Sequence, residues 1–311
     1  MKKFIVKLLL FGVMVSSIIL YWCFIQRNDV LVLTNSISLD TRLHEMREIK
    51  LEHLDIVGIG SSMTLYHLDG ETFMDKMEED ISFYNFSAWG MSVADDEKML
   101  QYIVDRYTPK AVIMFSNIVD FKNNTDSQIN MENVKAYLDE KIWNDLKLFI
   151  NYGFPNNIET KKLYKDRRFQ PTELNEDLRY DSWGGVRLSV YGDDVLDVRN
   201  NMYYQDTPSE IQYEALESMV QYCSEKGVRF YFVQMPYRKH FVSGDEKVNE
   251  KMALHFVRCQ QIVEEGLGGY LELVDLEKYS DQYFADAIHM NGEGAILLTE
   301  EFAEWFKKKW R

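Results

Sequence analysis

Leu54-Asp55-Ile56-Val57-Gly58-Ile59-Gly60-Ser61-Ser62 is the stretch that decides how the chain folds. Its short apolar run carries β-branched residues and closes on glycine, so it reads as a buried strand. Two hydroxyls follow at once, and Thr64 to Met77 then has a helical pattern. The alternation repeats downstream. Phe83 to Phe86 reads as a second strand and empties into Ser87-Ala88-Trp89-Gly90. Ser92 can cap the next helix, with Asp95 and Asp96 in its first turns. Ala111-Val112-Ile113-Met114-Phe115 reads as a third strand, leaving through Ser116-Asn117-Ile118-Val119-Asp120.

Further on, Thr207-Pro208-Ser209-Glu210 has capping-box spacing and opens a predicted helix from Pro208 to Glu225, stopped by Gly227. Val228 to Met235 and Tyr270 to Leu276 read as the fourth and fifth strands. They are separated by a helix from about Asp245 to Glu265 and followed by a last helix from Gly292 to Lys308. Such alternation predicts an α/β fold, a five-stranded parallel sheet with helices on both faces. In these sheets ligands bind beyond the carboxyl ends of the strands. Ser62, Gly90, Asn117 and the Asp286–His289 loop all follow predicted strands, so the topology brings them to one edge.

Those residue types suit acyl transfer. Phe284-Ala285-Asp286-Ala287-Ile288-His289-Met290-Asn291-Gly292-Glu293-Gly294 places a carboxylate and an imidazole three residues apart, just before a helix. A hydroxyl is a weak nucleophile at neutral pH and needs an imidazole to take its proton. A carboxylate then fixes the tautomer and stabilises the imidazolium. The tetrahedral intermediate needs donors, and the backbone N–H groups of Ser62 and Gly90 and the side-chain amide of Asn117 are candidates. Each residue singly also fits a plain structural role. Ser62 or Ser61 can cap a helix, Gly90 can permit a turn, Asn117 can cap with Asp120 as a polar rival, and His289 can be a surface histidine. Their joint arrival at one sheet edge favours a site. His44, His53, His67, His240 and His255 have no comparable partner, and His67 reads as structural or exposed.

The flanks bound the setting. The net charge of −15 argues against a nucleic-acid partner. Cys23, Cys223 and Cys259 form no disulfide framework, although Cys223 and Cys259 can pair outside the cytoplasm. No metal-ligand spacing, dinucleotide fingerprint or phosphate-loop lysine is present, so neither a metal nor a cofactor is expected. Leu8 to Ile25 carries no charge and ends in bulky Tyr21-Trp22-Cys23-Phe24. That end favours an uncleaved transmembrane helix over a signal peptide with small residues at its cleavage site. Lys2, Lys3 and Lys7 precede the span and Arg27 follows it, which predicts an extracytoplasmic body. The expected organisation is an anchor at 1–27, a linker at 28–53 and a catalytic domain at 54–311. Residues 122–207 break the rhythm with a helical stretch (Val134 to Ile150) and an aromatic run holding Tyr180, Trp183 and Tyr203-Tyr204. They read as an insertion or lid.

At the quoted motifs the chain resembles the SGNH (GDSL-like) hydrolase superfamily, a three-layer flavodoxin-like sandwich. It is most similar to the membrane-anchored branch that includes alginate O-acetyltransferase-like proteins and the D-alanyl-lipoteichoic acid transfer protein D. Gly60-Ser61-Ser62 resembles the first motif and implies Ser62 as nucleophile. Asn85-Phe86-Ser87-Ala88-Trp89-Gly90 resembles the second, with Gly90 as oxyanion glycine, and Asp286-Ala287-Ile288-His289 matches the last. The third motif, Gly-x-Asn-Asp in the family, is represented only by Phe115-Ser116-Asn117. The resemblance implies an extracytoplasmic O-acyltransferase, most simply an O-acetyltransferase, that acts on a cell-surface polysaccharide beside a membrane-bound O-acyltransferase. Trp89, Trp183 and Tyr180 are then candidates to stack on sugar rings. The alternatives are an esterase of the same fold and a non-catalytic glycan-binding or scaffold subunit.

Overall fold

The strands are β1 (Ile56–Ile59), β2 (Phe83–Asn85), β3 (Ala111–Ser116), β4 (Arg229–Gln234) and β5 (Gly269–Glu272). They form one five-stranded parallel sheet in the order β2-β1-β3-β4-β5, the doubly wound flavodoxin-like order. This computed structural model describes residues 1–26, 30–34, 36–49, 51–77, 80–122, 129–152, 162, 180–188, 207–238 and 246–310. Every residue of β1 and β3 is buried, which explains their unbroken apolar runs. Ile56 pairs with Phe83 on one side and Ala111 on the other.

From β1 the chain turns one way to reach β2 and the other way to reach β3. Right-handed crossovers then place the connecting helices on opposite faces. Accordingly α3 (Ser62–His67) and α4 (Gly70–Met77) pack with the final helix, Gly292–Trp310. On the other face α5 (Val93–Tyr107) packs on the helix Glu210–Glu225, which in turn packs on Glu246–Glu265. Phe73 of α4, Phe115 of β3, and Phe302 and Phe306 of the final helix close the core on the first face, with ring centroids 5.0–5.8 Å apart. The reversal of direction at β1 opens a crevice at the carboxyl ends of β1 and β3.

Three local expectations are corrected. The helix expected over Thr64 to Met77 is two helices. Leu68 closes α3 by donating to Thr64, and Asp69 starts α4 by accepting the Thr72 N–H at 2.9 Å. The capping box at Thr207 does not form. Pro208 instead makes an antiparallel bridge with Lys122, Ser209 donates to the Phe121 carbonyl at 2.8 Å, and the helix begins at Glu210. The helix expected over Val134 to Ile150 is also two helices, α6 (Met131–Leu138) and α7 (Ile142–Tyr152). They are divided at Asp139-Glu140-Lys141, where Glu140 adopts a positive φ of 52°. The Ser92 cap forms as expected, a reciprocal box with Asp95. Cys223 and Cys259 are both free and buried.

The chain divides into two compact units, Met1–Lys50 with Gln128–Arg167, and Leu51–Ser127 with Arg168–Arg311. The first holds α1 (Lys2–Gln26), α2 (Ile37–Ile49), α6 and α7. Over Lys2–Tyr21 α1 is long and apolar enough to cross a membrane, and none of that span is buried. Arg47 of α2 ties this unit together. Its guanidinium forks onto Asp145 of α7 at 2.6 and 2.9 Å, donates to the Tyr137 carbonyl of α6, and stacks on the Tyr137 ring. The second unit holds the sheet. Of the expected insertion, residues 129–152 fall in the first unit and 180–188 in the second, while Tyr203-Tyr204 lie outside the described residues.

Candidate active site

The turn leaving β1 is held from several directions. Gly60 adopts a φ of 135°, a conformation open to glycine. Ser61 is the N-cap of α3, its hydroxyl accepting the Met63 N–H at 3.0 Å. Ser62 is therefore the first helical residue, where a backbone N–H has no intrahelical acceptor. Thr64, one residue past Met63, accepts the Phe115 N–H at 2.9 Å and donates to the Phe115 carbonyl at 3.0 Å. This clamp pins α3 to the end of β3.

The second element arrives beside it because the β1–β2 ladder continues past the strands. Phe86 donates to Gly58 at 2.7 Å and Ala88 to Gly60 at 3.1 Å, which carries Trp89 and Gly90 to the nucleophile turn. Gly90 sits there in an exposed turn with a φ of 67°. Buried Asn85 braces the same loop, donating to the Thr64 carbonyl and accepting from the Ser87 N–H and hydroxyl.

The third element is the loop before the final helix. A bridge between Phe284 and Met290 closes it, and Ala285 donates to the His289 carbonyl at 2.8 Å. Asn291 caps the helix through Gly294 and ties back to the Gln282 carbonyl. Inside the loop, Asp286 Oδ1 accepts the N–H groups of Ile288 and His289 at 2.9 and 2.7 Å, and Oδ2 accepts His289 Nδ1–H at 2.7 Å. On the opposite side of the ring, His289 Nε2 lies 2.8 Å from Ser62 Oγ. Burial alone would raise the Asp286 carboxyl, but the His289 charge and hydrogen bond, with the two backbone N–H groups, hold it well below the usual carboxylate range. A carboxylate, an oriented imidazole and a hydroxyl thus form one hydrogen-bonded chain, with only Ser62 partly exposed.

Of the oxyanion candidates, Ser62 has the N–H of a first helical residue, and Gly90 lies two residues past Ala88, whose N–H donates to Gly60. Asn117 is fully buried as the cap of the turn Ile118–Phe121, with Oδ1 accepting the Val119 N–H. Its Nδ2 lies 3.1 Å from the Met63 sulfur, a weak acceptor next to the nucleophile. The neighbouring Asp120 is buried, accepts the Ser116 hydroxyl at 2.7 Å and hydrogen-bonds Ser61. Burial lifts its carboxyl to about 6, against the pull of those hydrogen bonds and of His289.

The three aromatics separate. Trp89 and Tyr180 pack against a small cluster of Leu65, Tyr66, Val186, Leu188 and Ala285, the last of these next to Asp286. Trp183 packs on the main core instead, against Gly70 at the start of α4. Tyr66 escaped the sequence reading, and of the two readings of His67, structural or exposed, the structural one holds. Tyr66 meets the His289 ring edge-on, centroids 5.3 Å apart. His67, fully buried, accepts the Met290 N–H through Nε2 at 2.8 Å, and burial followed by the His289 charge lowers its pKa to about 3. The sequence hint was their place on the nucleophile's own helix, but their partner lies beyond the last strand.

No family model and no curated protein matches the chain. Among solved structures it is similar to TesA, at 12% identity and a TM-score of 0.41 over 82% of this chain and 97% of that one. It is also similar to the psychrotrophic esterase EstA from Pseudoalteromonas sp., at 14% identity and a TM-score of 0.40 over 82% of this chain and 98% of that one. A GDSL-like lipase from Bacteroides thetaiotaomicron gives 10% identity and a TM-score of 0.42 over 87% of this chain and 98% of that one. These likenesses are slight, and the chemistry assigned to this chain rests on its own geometry.

Proposed function

We propose that the protein is a serine acyl-transfer enzyme, an O-acyltransferase acting on a cell-surface polysaccharide from the outer side of a membrane. The observation that carries the chemistry is the chain Ser62 Oγ to His289 Nε2 to Asp286, at 2.8 and 2.7 Å. In this reading His289 removes the Ser62 proton as Oγ attacks the acyl carbonyl, and Asp286 stabilises the imidazolium. The Ser62 and Gly90 N–H groups and the Asn117 amide receive the oxyanion. Collapse expels the donor's leaving group, protonated by His289, and leaves an ester on Ser62. His289 then deprotonates a sugar hydroxyl, which attacks that ester and restores the serine. Trp89 and Tyr180, which pack beside this loop, are the aromatics we assign to a sugar ring, whereas Trp183 packs on the core. α1 anchors the enzyme, and the lysines before it favour a body outside the cytoplasm, beside a membrane-bound O-acyltransferase that supplies the acyl group.

A second reading, hydrolysis, is favoured by the partial exposure of Ser62, since water can reach an ester formed there. Intact-mass analysis of wild type and Ser62→Ala with p-nitrophenyl acetate and an oligosaccharide separates them. A Ser62-dependent adduct that moves to the sugar supports the transferase. Release to water alone supports the esterase, and no adduct at all overturns the catalytic reading.

A further inference from the structure

The outward face of α7 has the wrong chemistry for water. Its inward face is made by Asp145, Leu148 and Phe149, all buried. At 3.6 residues per turn, Trp143, Leu146, Lys147 and Ile150 fall in one stripe, about 100° wide, on the opposite side. Trp143 is 77% exposed and Ile150 43% exposed, Lys147 is exposed and Leu146 is half-buried. A helix that covers a soluble core presents charge on that side. Single exposed apolar residues need no explanation, but a tryptophan, a leucine and an isoleucine in one stripe with a lysine do.

The neighbour of α7 supplies the explanation. α7 packs against α1, within the same compact unit, and α1 is the helix long and apolar enough to span a bilayer. We infer that α7 lies along the bilayer surface, its Trp143, Leu146 and Ile150 set into the headgroup boundary and Lys147 reaching lipid phosphates. Tryptophan and lysine are the side chains that pair an apolar body with a polar tip, and they concentrate at that depth. A helix that lies in the interface has this composition, apolar on one side with basic residues beside it. The bidentate Arg47–Asp145 pair holds the inward face of α7 on α2 and α6, so the outward stripe cannot roll away from the membrane without breaking a buried ion pair. The inference rests on α1 being a membrane anchor, which the experiment tests separately.

Full-length protein with Cys23→Ser is placed in lipid nanodiscs and spin-labelled, in separate variants, at Leu10→Cys, Trp143→Cys and Ile150→Cys. Accessibility to oxygen is compared with accessibility to a water-soluble nickel complex. The expected result is oxygen above nickel at all three sites. Quenching of intrinsic fluorescence by brominated lipid, lower in Trp143→Phe than in wild type, supports it in a variant that keeps the ring. Nickel above oxygen at Trp143 and Ile150, with oxygen above nickel at Leu10, overturns the inference while leaving the anchor standing. Nickel above oxygen at Leu10 removes the anchor and the inference together.

Discussion

His67 Nε2 accepts the backbone N–H of Met290, so a histidine on the nucleophile's helix holds the residue next to the base. The accepting nitrogen must be unprotonated, and burial keeps it so, with a pKa of about 3. His67→Ala leaves a buried N–H without its partner, a loss of about 1–3 kcal/mol. The expected kinetic signature is a fall in kcat with little change in KM, as the His289 loop loosens. His67→Gln, which restores an acceptor, is expected to recover part of both. Equal loss of kcat in both variants would show that the acceptor is irrelevant.

In the proposed mechanism Ser62, His289 and Asp286 act as a unit, so their deletions should not add. Ser62→Ala and His289→Ala are each expected to lower kcat by more than about a thousandfold, and the double variant to lie no lower than the worse single one. Asp286→Asn is expected to retain the fold and still lose activity, because the amide presents a donor where His289 Nδ1–H needs an acceptor. Steady-state rates on a chromogenic ester, with circular dichroism as the folding control, give the answer.

Asp120 and His67 make stability depend on pH in opposite senses. The Asp120 carboxyl rises from 3.8 to about 6 on folding, so its contribution is fully present below the unfolded value and is lost as pH rises through about 6. His67 falls from 6.5 to about 3, so its contribution is present above 6.5 and is lost as pH falls toward 3. Asp120→Asn removes the first contribution and also relieves Asp96, whose buried carboxyl the Asp120 charge helps to raise. Relative to wild type it is expected to gain up to about 3 kcal/mol between pH 4 and pH 8, at 1.36 kcal/mol per pKa unit. Urea unfolding of both proteins across that range measures the difference, and parallel curves would exclude a raised Asp120.

Two glycines at the site should respond differently to a methyl group. At Gly60 a Cβ would collide with Thr64 Oγ1, and Thr64 is clamped to both backbone groups of Phe115. Gly60→Ala is expected to cost more than about 2 kcal/mol and most of the activity. At Gly90 a Cβ meets nothing within 4 Å, so the cost is the left-handed backbone alone, about 1–2 kcal/mol. A Gly90→Ala variant that folds but loses kcat would mark the point where substrate approaches the backbone. Thermal melts and rates on the same samples separate the two effects.

The sheet was legible because a parallel strand is buried on both faces: Ile56–Ile59 and Ala111–Phe115 carry no polar side chain. The Asp286–His289 loop was legible because its two polar side chains meet within a single turn of chain. What stayed hidden depends on distant partners. Asp69 breaks a continuous helical pattern because it caps α4 and pairs with Arg187, far along the chain. His67 carries no local sign of its bond to Met290, 223 residues away. Thr207 has the spacing of a cap, but Pro208 and Ser209 are drawn to Lys122 and Phe121 instead. The break at Glu140 turns on a left-handed residue with no glycine to announce it.

Ser62 and His289 lie 227 residues apart, with four of the five strands, β2 to β5, between them in the chain. Ser62 belongs to the first strand–helix unit and His289 to the segment after the last strand. Contacts this distant in sequence form late, because the loop they close must be ordered first. During synthesis Ser62 therefore exists long before His289, and under the proposed mechanism a chain stopped before His289 carries an inert serine. Under the proposed mechanism reactivity is thereby gated by completion: only a finished chain, with its final helix seated, brings His289 beside Ser62.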